Sequence, residues 1–162
     1  MKLDKEKYIK LIMYILTKCY NKPQVGKTVL CSMMYFIDFN YFEIYGRYLT
    51  KETYVKSKKG IKPDSFKDIT HELISKNQLF LRKEDYYHRT IHRYYPLIIP
   101  TVSFDEKELK IIDSSIEKLS DYNALNITKY ANKDPPLILA NFGDIIDYKH
   151  VFYRNIYNKY IY

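Results

Sequence analysis

Leu30-Cys31-Ser32-Met33-Met34-Tyr35-Phe36-Ile37-Asp38-Phe39-Asn40-Tyr41-Phe42 is the most apolar stretch of this 162-residue chain. With its flanks it predicts a helix from Lys27 to Tyr45, in which Val29, Leu30, Met33, Met34, Phe36, Ile37, Phe39, Tyr41, Phe42 and Ile44 leave little polar face. A helix that is apolar nearly all round belongs inside a domain. Gly46 stops it, as a glycine just past a helix end does. Asp38 is the acid inside the run. It must face solvent or meet a buried partner, a nearby donor such as Tyr54, which would pin the following loop to the helix.

Working outward, Tyr8, Leu11, Ile12, Ile15 and Leu16 recur at helical spacing and predict a first helix over 4–20, with Asp4 as its N-cap. Asn21-Lys22-Pro23 ends it, because proline can neither continue a helix nor leave its predecessor helical. Beyond Gly46 the period changes. Thr50, Thr53, Tyr54 and Val55 favour a short extended segment over 49–56, and Gly60 to Pro63 reads as a turn or loop. Asp64 or Ser65 then caps a helix running to Lys76. Residues 79–99 read as a β-hairpin, with Leu79-Phe80-Leu81 and Tyr94-Tyr95-Pro96-Leu97 flanking a polar middle. Ser103-Phe104-Asp105-Glu106 matches a capping box opening a helix over 105–119. Asn123 starts a short helix to Ala131, Asp134-Pro135-Pro136 breaks the chain, and a last helix is expected over 148–157. The sum is a single domain over 1–162 of mainly α class: a compact helical domain around a central hydrophobic helix, with a small β-hairpin appendage.

The bulk properties narrow the function classes. A hydrophobic fraction of 46% and a charged fraction of 28% are those of a globular chain. Cys19 and Cys31 are too few for a disulfide framework and lie in apolar helical runs, which points to a reducing, cytoplasmic setting. The apolar run from Tyr8 to Leu16 is too short for a bilayer and ends in polar residues, so neither a membrane span nor a signal peptide is expected. The net charge of +8 admits a nucleic-acid partner. Against that, the lysines are spread along the chain, apart from Lys56-Ser57-Lys58-Lys59 and the stretch His88 to Arg93, and the abundance of Lys, Ile, Asn and Tyr matches AT-rich coding.

Motifs of known chemistry fall short. Gly26-Lys27-Thr28 opens a helix, but the glycine that a phosphate-binding loop needs five residues before Gly26 is Asn21, and a helix precedes it instead of a strand. His88 and His92 are half a zinc site. No nucleophile elbow, zinc-protease pair or dinucleotide fingerprint appears, so no catalytic residue, metal or cofactor is assigned. Tyrosine is the surplus: Tyr86-Tyr87, Tyr94-Tyr95 and the tail Tyr153, Tyr157, Tyr160 and Tyr162 supply amphipathic area suited to an interface. Tyr86, Tyr87, Arg89 and Arg93 together would suit single-stranded bases, which is the alternative reading of the chain as a nucleic-acid-binding regulator.

The stretch from Val25 to Phe66 resembles the Panacea domain family, the SocA-like antitoxins. It has the family's apolar helix ending in Tyr35-Phe36-Ile37-Asp38-Phe39-Asn40-Tyr41-Phe42, then Tyr45-Gly46, Thr50-Lys51-Glu52-Thr53-Tyr54 and Gly60-Ile61-Lys62-Pro63. Asn132-Lys133-Asp134-Pro135-Pro136 is similar to a second motif, and Ile145-Ile146-Asp147-Tyr148 with Val151-Phe152-Tyr153-Arg154 is similar to the family's ending. The family's Thr-Gly is Thr50-Lys51 here, its Gly-Pro is Gly60-Ile61, and Leu137 stands where a tryptophan is usual, which suggests a different turn before Pro63.

The resemblance implies an antitoxin that is not an enzyme and neutralises a co-encoded protein toxin by direct binding, some members acting instead as adaptors that deliver the toxin to a protease. It marks Tyr35, Phe36, Asp38, Tyr41, Tyr45, Gly46, Thr50, Tyr54, Gly60, Pro63, Asp134 and Pro136 as family-motif and partner-binding candidates. The partner expected is the cognate toxin; a protease and a homo-oligomer remain open, and no membrane partner is expected.

Overall fold

Burial places α2, Lys27–Tyr45, at the centre of the chain. Val29, Leu30, Met33, Met34, Tyr35, Ile37 and Phe39 are wholly withdrawn from solvent, and each such side chain contributes roughly 1.5–3 kcal/mol by leaving water. The remaining elements are laid around it: α1 (Lys5–Lys18), the 3-10 turn Tyr148–Tyr153, α4 (Glu106–Leu119) and α5 (Ala124–Ala131), with strands β2 (Gly60–Pro63) and β4 (Arg89–Pro96) also against it. The computed structural model describes residues 1–99, 101 and 103–154.

Local chemistry sets the ends of the elements. Asp4 caps α1 by accepting from the Lys7 N–H at 3.2 Å, and Asn123 caps α5 by accepting from Asn126 at 2.9 Å. α2 ends at Gly46, which is left-handed at φ +64°, and its N–H closes on the Phe42 carbonyl at 2.8 Å. α4 is capped by Asp105, whose carboxylate accepts from Glu108 N–H at 2.7 Å. The expected Ser103–Glu106 box is therefore not formed; the Ser103 hydroxyl accepts from Lys10 instead, at 2.9 Å. A charged acceptor two residues after Ser103 offers the N-terminal amides more than the serine does.

The mainly α expectation is overturned. The described residues are about 50% helical and 16% strand and include two antiparallel hairpins, so this is an α+β fold and its hairpins are not a minor addition. In the first hairpin, β1 (Tyr54–Ser57) pairs with β2, Tyr54 opposite Pro63 and Ser57 opposite Gly60. The segment expected to be a loop, Gly60 to Pro63, is thus a strand; glycine and proline hide it from propensity, and proline is tolerated at a strand end. The outer edge of β1 is also occupied: Ile146 N–H donates to the Tyr54 carbonyl at 2.8 Å and Gly143 N–H to the Lys56 carbonyl at 2.7 Å. The second hairpin pairs β3 (Leu79–Tyr86) with β4, and both turn residues, Tyr87 and His88, have positive φ.

Two further corrections come from the C-terminal part. Asp134-Pro135-Pro136 starts a helical turn, α6 (Pro135–Ile138), because prolines at the first helical positions lose no intrahelical bond. The last element among the described residues is the 3-10 turn Tyr148–Tyr153; the expected helix to Tyr157, with Tyr160 and Tyr162, extends outside them. No helix among the described residues is long and apolar enough to cross a membrane.

Gly46 gives a direct test of the central helix. A Cβ there would meet nothing within 4 Å, so only the left-handed backbone resists a side chain. Gly46→Ala is expected to lower stability by about 1 kcal/mol in chemical denaturation, with the fold unchanged by circular dichroism.

Candidate functional site

Asp38 sits on α2 with no solvent exposure. Such a carboxylate has to be supplied with donors, and the loop after Gly46 supplies them. Thr50 donates its N–H at 3.0 Å and its hydroxyl at 2.7 Å, and Tyr54 donates its hydroxyl at 2.5 Å. The Thr50 hydroxyl in turn accepts from the Glu52 N–H at 3.2 Å, and the Thr50 carbonyl accepts from the Asp4 N–H at 2.8 Å. One carboxylate thereby ties α2, the loop, β1 and the start of α1 together.

Glu52 extends the network. Only 1% exposed, its carboxylate accepts from Thr53 N–H at 2.8 Å and from the N–H and hydroxyl of Ser65, both at 3.0 Å. Ser65 precedes α3 (Phe66–Ser75), and its side chain is committed to Glu52 and makes no capping bond. The Tyr148 hydroxyl donates to the Glu52 carbonyl at 2.6 Å, which brings in the 3-10 turn. Burial pushes the Asp38 carboxyl up to about 6, against the opposing pull of the Tyr54 and Thr50 hydrogen bonds. Burial likewise pushes the Tyr54 and Tyr35 hydroxyls well above their usual range and keeps them as donors, and the neighbouring Asp38 and Asp134 disfavour their ionisation further.

A second anchor lies along the same helix. Tyr35 donates to the Asp134 carboxylate at 2.8 Å, and Arg154 grips that carboxylate with two bonds of 2.8 and 2.7 Å. The same guanidinium reaches Asn40 at 2.8 Å and Glu43 at 2.6 Å. Planar, two-pronged pairing of this kind requires arginine, and lysine cannot replace it. The group borders a cleft of about 420 Å³ between α2, α4 and α6.

The sequence candidates now have places. Tyr35, Phe36, Asp38, Tyr41, Thr50, Tyr54, Pro63, Asp134 and Pro136 are buried; Tyr45 and Gly60 are half-buried, and Gly46 is exposed. The two anchors join Asp38 with Thr50 and Tyr54, and Tyr35 with Asp134; Phe36, Tyr41, Tyr45, Gly46, Gly60, Pro63 and Pro136 make no hydrogen bond in either network. On the second hairpin Tyr87 and Arg89 are exposed and Tyr86 is half-buried. Arg93 is 8% exposed, donating to the Tyr95 hydroxyl at 2.8 Å and the Tyr20 carbonyl at 3.1 Å. Glu52, Ser65, Asn40, Glu43 and Arg154 were missed. Arg154 carried a faint signal, as an arginine in a chain whose basic residues are mostly lysine. Both thiols are buried, and burial pushes Cys19 up to about 11 and Cys31 up to about 12, which leaves them unreactive.

In the loop expected to turn differently, Lys51, at the position where the resemblance places a glycine, is left-handed with φ +62°. A lysine there is strained by the clash of its Cβ with the backbone. Lys51→Gly is expected to raise stability by up to about 1 kcal/mol, and Lys51→Ala to leave it unchanged, in urea titrations. Asp38 predicts a pH dependence. Its carboxyl ionises near 3.8 when unfolded and near 6 when folded, so the folded chain holds the proton longer. Its contribution to stability is full below the lower value, falls as pH rises through the window and is lost above the upper one. Asp38→Asn is expected to remove that component of the slope, read as the difference between two urea-midpoint profiles.

No curated protein and no solved structure matches the chain. A family model does, across residues 30–136, a span that begins in α2, contains Asp38, Thr50, Glu52, Tyr54 and Ser65 and ends at Pro136, just past Asp134. The chain belongs to the family described as antitoxin SocA-like, Panacea domain.

Proposed function

We propose that this chain is an antitoxin that neutralises a co-encoded protein toxin by direct binding, without a catalytic step of its own. Family membership supports the antitoxin role. The observation that carries the binding mode is the Asp38 network: a wholly buried carboxylate is committed to holding the 49–54 loop and the first hairpin in one position. A surface set rigidly in advance loses less entropy on docking. The motif residues Asp38, Thr50 and Tyr54 act through this scaffold, and the contacts fall to exposed neighbours on the same face, among them Lys51, Lys58, Lys59 and Lys62. Phe142 and Ile145, 62% and 67% exposed beside β1, add apolar area to that face. Delivery of the toxin to a protease is compatible with the same surface.

The nucleic-acid reading gains nothing from β4, where Arg93 is engaged by Tyr95, Tyr20 and Glu84. The decisive experiment is co-expression with the product of the adjacent gene. Restored growth and a co-purified complex are expected; unrelieved toxicity with no complex would refute the reading. Asp38→Ala, which strips the loop of its anchor, is expected to weaken rescue.

A further inference from the structure

Two stretches that fit no catalytic motif, Gly26-Lys27-Thr28 and Lys56-Ser57-Lys58-Lys59, are brought together by the fold. Their residues meet the start of α3 around a cleft of about 290 Å³. Its floor is apolar, built from Ile61, Pro63 and Phe66. Its rim is basic: Lys27 from α2, Lys59 and Lys62 from the first hairpin, and Lys67 from α3. All four lysines are exposed, and none forms an ion pair among the described residues. Among the described residues, no aspartate or glutamate lines the cleft. Asp64 and Asp68 follow Pro63 and Lys67 in sequence, and even with both counted the rim stays positive.

The walls are held in place. Glu52 fixes Ser65, the residue before Phe66, and Asp38 fixes Tyr54, the first residue of β1 and the partner of Pro63. Lys27 Nζ lies 5.9 Å from the centre of the Phe66 ring, so the charged rim overhangs the apolar floor. Four like charges gathered with only Asp64 and Asp68 nearby in sequence leave a net repulsion, and a partner that brings carboxylates relieves it. The volume lies at the bottom of the range of about 300–1,000 Å³ for small-molecule pockets, and suits one or two apolar side chains.

We propose that this cleft receives an acidic segment of the toxin that carries a bulky apolar side chain, the apolar group entering over Ile61, Pro63 and Phe66 and the carboxylates meeting the four lysines. The proposal rests on the antitoxin reading and adds the chemistry of the partner's contact. Buried anchors within a charged ring carry most of the energy in such interfaces.

The test uses the full chain and the purified, inactivated product of the adjacent gene. Wild type is compared with Lys59→Glu/Lys62→Glu/Lys67→Glu and with the milder Lys59→Gln/Lys62→Gln/Lys67→Gln, each checked for its fold by circular dichroism. Calorimetry is expected to show affinity falling at least about 100-fold in the glutamate variant and about 10-fold in the glutamine variant, with a shallower salt dependence. Unchanged affinity in both variants overturns the cleft and leaves the antitoxin reading standing. Failure of the wild type to bind removes that reading, and the proposal with it. A DNA duplex that binds the wild type and not the variants, with toxin affinity unaffected, also overturns the proposal and assigns the cleft to nucleic acid.

Discussion

A carboxylate in the middle of the most apolar helix has few places to find donors. Asp38 is surrounded on its own helix by Ile37, Phe39 and Tyr35, and water does not reach it. Its charge, or even its neutral acid, is tolerable there only if hydrogen-bonded. The donors come from Thr50 and Tyr54, and everything downstream follows from that. With the 49–54 loop held against α2, Glu52 is buried and takes hold of Ser65, so α3 begins at a set distance from β1. The aromatic layer then closes: Phe39 stacks on Tyr148 with ring centres 4.1 Å apart, and Tyr35 meets Tyr54 edge-on at 5.7 Å.

The second anchor repeats this logic one turn away. Tyr35 and Asp38 are three residues apart and so share one side of α2. Tyr35 reaches Asp134, and Arg154 locks that carboxylate to Asn40 and Glu43 further along the helix. The C-terminal segment is therefore fixed to α2 by the Arg154 cluster and, through Tyr148, by the back of the first network. Outside the anchors, the exposed residues of the first hairpin are Lys58, Lys59 and Lys62.

Periodicity and composition were sufficient for the central helix, for α1 with its Asp4 cap, for the Gly46 stop and for the second hairpin, because each is decided within a few residues of itself. The motif at Asp38, Thr50 and Tyr54 was legible too, as a resemblance, and the acid amid aromatics already required a partner. The strand at 60–63 was not legible, since Gly60 and Pro63 carry no strand propensity and the pairing with Tyr54–Ser57 supplies what they lack. Nor was the cap of α4 decided by its motif, because Ser103 was drawn to Lys10, far off in the sequence.

What the sequence determined by itself is the interior of this protein: which helix is buried, and that one acid within it needs donors. Only the tertiary structure decided that Thr50 joins Tyr54 as a donor, that Glu52 and Arg154 extend the anchors, and that four lysines from three elements stand around one cleft. Hydrophobic burial is read from spacing along the chain. A hydrogen bond or a shared charge depends on which distant residues the packed chain brings within about 3 Å, and that is a property of the fold.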